Sequence, residues 1–181
     1  MTGARTRRSA RDDLNVLVIA ARLPFPPRWG FGTRVYHLTR QLAARRDVTL
    51  VAYAGAADAE NVERLREELA VEVVTRDRPS RLAKRAKQLR SLASRIPYDS
   101  IATHSREMQG LIDRVAATRR VDVVQIESTL LSIFRLPPDA LVVVDEHNID
   151  YEYYARMREN GRIDAYVEEK NSLSIDGLPA V

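Results

Sequence analysis

Five short apolar runs, each the length of a strand, alternate along the chain with segments whose apolar residues recur at helical spacing. The runs are residues 14–20 (LNVLVIA), 47–53 (DVTLVAY), 71–75 (VEVVT), 121–127 (VDVVQIE) and 140–147 (ALVVVDEH). Most are nearly continuous in apolar character rather than alternating, the mark of strands covered on both faces. Between the first two, Val35, Leu38, Leu42 and Ala43 predict a helix over 33–46. Asp58 is placed to cap a second helix reaching residue 70, with Val62, Leu65 and Leu69 inward. A basic helix over 81–95 carries Leu82, Ala86, Leu89, Ala93 and Ile96 as its stripe, and a helix after Ser105 uses Met108, Leu111, Ile112 and Val115. Strand, helix, strand repeated in this way predicts an α/β fold: a doubly wound, mostly parallel, Rossmann-like sheet.

At 181 residues the chain has room for one well-buried domain. Residues 14–158 are expected to form it, ending in a helix over 151–158. Residues 1–13 read as a disordered basic tail and 159–181 as an irregular segment without period. The chain has no cysteine, which excludes disulfides, thiolate metal sites and thiol redox chemistry and suits a cytoplasmic setting. Its longest apolar stretches fall far short of the ~20 residues of a membrane helix, so any membrane contact is peripheral. The net charge of +4 is unevenly placed, with eight lysines and arginines between 76 and 95. That segment is either a solvated charged face or a surface for anionic lipid headgroups or a lipid-linked phosphate. It lacks the interleaved aromatics of a single-strand binder, so no nucleic-acid partner is expected.

The first strand empties into LPFPPRWGFGTRVYHL, residues 23–38, with three prolines and two glycines before the helix. In a parallel α/β sheet ligands collect at the carboxyl ends of strands, and helix N-termini attract phosphate. Gly30 and Gly32 would let such a ligand approach the backbone; equally, they would serve a sharp turn that binds nothing. The spacing is neither the dinucleotide fingerprint GxGxxG nor the phosphate loop GxxxxGK[ST]. Trp29 and Phe31 either cover an apolar ligand or staple the loop.

Taken together, this loop, the pair IPYDS…SREMQGLI, VDVVQIES and above all VVVDEHNIDYEYYARM resemble the N-terminal domain of family-4-like glycosyltransferases of the GT-B fold. The resemblance covers residues 14–158, and its specific parts are the first and last motifs. It implies that Gly30 and Gly32 face the donor diphosphate and that His147 is the active-site histidine. His147 would hydrogen-bond the transferred sugar and help seat the acceptor, in a retaining reaction whose leaving phosphate takes the acceptor proton. Gln125 and Glu127, which end the neighbouring strand, and Asn148 are candidates to line the acceptor pocket. No metal is expected: adjacent strand residues alternate faces, so at most Asp145 and His147 could share an ion. No cofactor is implied, the nucleotide sugar being a substrate and a saccharide or lipid-linked acceptor the other.

In the family the donor is gripped mainly by a second Rossmann-like domain, for which the 181 residues leave no room. The expectation is therefore the acceptor-side half of a transferase, either truncated or one subunit of a split enzyme paired with a donor-domain protein, and inactive by itself. Two other readings stand beside it: a non-catalytic binding module that keeps the fold, and another doubly wound enzyme such as a methyltransferase.

Overall fold

The computed structural model describes residues 14–76, 79–94 and 96–146. The expected tails, the helix over 151–158, His147 and Asn148 lie outside them. Five parallel strands form one sheet in the order β3-β2-β1-β4-β5: β1 (Asn15–Ala20), β2 (Asp47–Ala54), β3 (Ala70–Thr75), β4 (Val123–Ile126) and β5 (Leu141–Val144). The chain first winds outward from β1 to β3, then crosses back and winds the other way through β4 and β5. This is the Rossmann-like doubly wound arrangement, and its switch point lies between β1 and β4.

Side chains alternate across the strands, so each central strand feeds two cores. Val16, Val18 and Ala20 of β1 join Leu50 and Ala52 of β2 beneath α1 (Gly30–Ala43) and α2 (Ala59–Arg66). Leu17 and Ile19 join Val51, Tyr53, Val124 and Ile126 beneath α5 (Arg106–Thr118), which supplies Met108, Leu111, Ile112 and Val115. Ser105 caps α5 by accepting the Met108 N–H at 3.1 Å. Every residue of β2 after Asp47 is buried, as its unbroken apolar run requires. At the other margin, all four residues of β5 are exposed among the described residues.

Three local features differ from the sequence expectation. Helix α1 starts at Gly30, so the GFG triplet is its first turn, and it buries Gly32, Val35, Tyr36 and Thr39 instead of Leu38. Tyr36 decides that rotation: its ring packs on Phe25 (5.6 Å between centroids), and its hydroxyl donates to Glu68 at 2.8 Å. A short helix, α4 (Tyr98–Thr103), lies between α3 (Arg81–Leu92) and α5; its six residues are too few to show a period. Finally, α3 turns its leucine stripe away from the protein: Leu82 and Leu89 are 78% and 67% exposed.

Candidate functional site

The loop from β1 to α1 is held by packing, not by its own hydrogen bonds alone. Phe25, joined to Pro26 by a cis peptide bond, sits between the Tyr36 ring and the Arg64 guanidinium, 5.4 Å from its centroid. The Arg28 N–H donates to the Pro26 carbonyl at 2.8 Å, and the Thr33 hydroxyl ties the far side to the Pro27 carbonyl at 3.2 Å. Thr33 N–H donates to the Trp29 carbonyl at 2.8 Å, which begins the α1 ladder.

The two glycines have different surroundings. A Cβ at Gly30 would meet nothing within 4 Å, so the backbone there is open to a ligand. A Cβ at Gly32 would lie 3.1 Å from the Trp29 ring and 3.2 Å from the Pro24 carbonyl oxygen. Gly32 is therefore where the loop closes onto the helix, and Trp29 staples it.

Between this loop and the one after β2 lies a pocket of about 360 Å³ at the carboxyl ends of β1 and β2. Arg22, Arg28, Phe25 and Trp29 line one side, and Tyr53, Gly55, Asp58 and Asn61 the other. The Asp58 carboxylate accepts the Gly55 N–H at 2.9 Å and the Asn61 amide at 3.3 Å, which fixes the opposite wall. Two arginines and three aromatic residues among the lining suit an anionic ligand that carries an apolar or ring portion.

The switch point itself is polar. Gln125 and Glu127 point to the α1 side of the sheet, and the Gln125 amide donates to Glu127 at 2.6 Å. Glu127 is only 1% exposed. Beside them Asp145, just past β5, accepts two bonds from Arg34 Nη2, both at 2.8 Å. Arg34 belongs to the first turns of α1, so this pair ties the end of β5 to the helix that Gly30 opens. The Asp145 side chain is 17% exposed. Glu146 is also engaged, accepting the Thr129 N–H at 2.9 Å at the start of the helical turn after β4. Among the described residues no three His, Asp or Glu groups gather in a way that could hold a metal ion.

The structure thus brings the start of α1 at Gly30, Gln125, Glu127, Asp145 and Glu146 to the carboxyl edge of the sheet. His147 and Asn148 follow directly on Asp145 and Glu146 and lie outside the described residues. Sequence reasoning missed Arg22 and Arg28 as pocket walls, although both stand in or next to the proline-rich stretch. It also missed the Arg34–Asp145 pair, which no local pattern announces across 111 positions.

His104 packs rather than reacts. Its ring stacks on Phe134 with centroids 5.2 Å apart, and its backbone N–H donates to the Ser100 carbonyl at 3.1 Å, closing α4. Partial burial holds its pKa below the ordinary 6.5, helped by Arg90 and Lys87 on α3 and Arg106 on α5. The neutral ring is thus favoured in the folded state, and its contribution is complete above pH 6.5. As the pH falls below 6.5 the unfolded chain binds the proton more readily, and that stability is lost through the lowered pKa. The urea midpoint should therefore drop less between pH 7.5 and 5.5 in His104→Gln than in the wild type. An equal drop in the two would refute the assignment.

No family model matches this chain, and neither a curated protein nor a solved structure does.

Proposed function

We propose that this domain is the acceptor-side half of a retaining, nucleotide-sugar-dependent glycosyltransferase of the GT-B kind. The observation that carries the reading is the ion pair in which Arg34 donates two hydrogen bonds to the Asp145 carboxylate. It ties the first turns of α1, which Gly30 opens, to the end of β5 next to the switch point, and carboxyl ends of strands near a switch point are the usual place for a ligand in such sheets.

In this reading the donor diphosphate lies over the open backbone at Gly30, favoured by the positive end of α1. His147 hydrogen-bonds the sugar, and Asn148, Gln125 and Glu127 belong to the acceptor side. The bond from the anomeric carbon to the phosphate oxygen breaks, a bond to the acceptor oxygen forms on the same face, and the departing phosphate takes the acceptor proton. Arg34 is a positioning residue that holds the two segments in register.

Backbone amide resonances test the donor assignment. Adding a nucleoside diphosphate should shift the amides of Gly30 and its neighbours, and Gly30→Val should weaken that binding about tenfold, or ~1.4 kcal/mol. Shifts produced instead by S-adenosylmethionine, with none from the diphosphate, would favour the methyltransferase reading.

A further inference from the structure

Helix α3 is amphipathic with its faces reversed. Ser80 caps it by accepting the Ala83 N–H at 3.2 Å, so its start is well defined. The side turned toward the protein carries Lys84, Lys87 and Ser91, each half-buried at helical spacing. Lys87 reaches over α4 to the Ala102 carbonyl at 3.2 Å. The side turned away carries Leu82, Leu89 and Leu92, exposed by 78%, 67% and 85%. Three leucines on one helix face are costly to leave in water, because each would gain from removing its apolar surface from it. Arg81, Arg85 and Arg90 are exposed on the same helix, and no acidic residue occurs from 78 to 98. Beside Leu89 and Leu92 a shallow groove of about 550 Å³ extends to Tyr98.

We propose that α3 lies flat in the headgroup layer of an anionic bilayer, with Leu82, Leu89 and Leu92 at the acyl boundary and Arg81, Arg85 and Arg90 among the lipid phosphates. Charge decides the occupant. A second copy of the same face would set arginine against arginine, whereas an anionic surface complements both the leucines and their flanking cations. Arginine stems also cover apolar surface while their heads stay at the phosphates. Among the described residues no helix is long and apolar enough to cross a membrane, so the contact is with the surface. This inference does not depend on the transfer chemistry, and its test is separate.

The full chain is sedimented with vesicles of phosphatidylglycerol and phosphatidylcholine, and with vesicles of phosphatidylcholine alone. The wild type should bind the anionic vesicles and leave the neutral ones. The triple variant Leu82→Ser, Leu89→Ser, Leu92→Ser should bind at least ~10-fold more weakly, with its circular dichroism intact because the replaced side chains are exposed. The variant Arg81→Gln, Arg85→Gln, Arg90→Gln should lose a comparable factor at low salt. The chain has no cysteine, so Leu89→Cys takes a single polarity-sensitive fluorophore, whose emission should move to the blue on anionic vesicles. Undiminished binding by the leucine variant, or no blue shift at position 89, would overturn the proposal. So would self-association abolished by the leucine variant in a chain that ignores vesicles, since the face would then join copies of the protein.

Discussion

Gly32→Val should destabilise the domain by about 2–3 kcal/mol, near the upper end for overpacking a filled site. The cause is local and visible. An added Cβ would already stand 3.1 and 3.2 Å from two atoms of the Trp29 ring and 3.2 Å from the Pro24 carbonyl oxygen. The ring could swing aside, but the carbonyl belongs to a backbone anchored at Leu23, which is buried in the core beneath α1. The γ-carbons of valine add further crowding. Trp29 is the chain's one tryptophan, so its fluorescence reports the displacement directly. Emission should move to the red in Gly32→Val, and the urea midpoint should fall. Gly30→Ala is the control: its Cβ meets nothing within 4 Å, and alanine in a helix gains roughly 0.5–1 kcal/mol over glycine. Equal losses from the two substitutions would mean that Gly32 does not close the loop onto α1.

How far the residues announce this structure depends on the range of the interaction that decides each feature. β1 and β2 are legible because a parallel strand buried on both faces must be apolar throughout, and LNVLVIA and DVTLVAY nearly are. The stripe of α5 is legible for the same reason: Met108, Leu111, Ile112 and Val115 all meet the sheet. The start of α1 is not, because glycine's poor helix propensity argues for a turn at GFG, and only the closeness of Trp29 and Pro24 explains why glycine is needed inside the helix. Periodicity finds the leucines of α3 but cannot tell which way they face; that is set by Lys87 reaching Ala102 and by α4 occupying the inner side. Of the candidate site, the glycine loop and the polar ends of β4 and β5 are legible as strand-end residues. Their convergence depends on Arg34 meeting Asp145, a contact between distant segments that only the folded sheet supplies.

The second large effect concerns transfer itself. The described residues build a single sheet and, in the proposed reading, one wall of a cleft: Gly30 attends one side of the diphosphate and His147 the sugar, with the nucleoside facing water. Glycosyl transfer needs donor and acceptor held in line and shielded from solvent, and losing that positioning forfeits roughly 7–11 kcal/mol of barrier lowering. These 181 residues by themselves should therefore give no measurable transfer. A nucleotide-sugar-binding domain, fused behind residue 181 or added as a separate chain, should restore it. In that assembly His147→Ala should lower the rate about 100-fold or more, the scale for one hydrogen-bonding group at a reacting centre, while the urea midpoint stays unchanged.

The most direct measurement is a sugar-transfer assay over UDP-, GDP- and dTDP-sugars with saccharide and lipid acceptors, run on the chain alone, on the assembly and on its His147→Ala form. The account predicts silence from the chain alone, transfer with retained anomeric configuration from the assembly, and its loss in His147→Ala. Robust transfer by the chain alone, or full activity in His147→Ala, would contradict it.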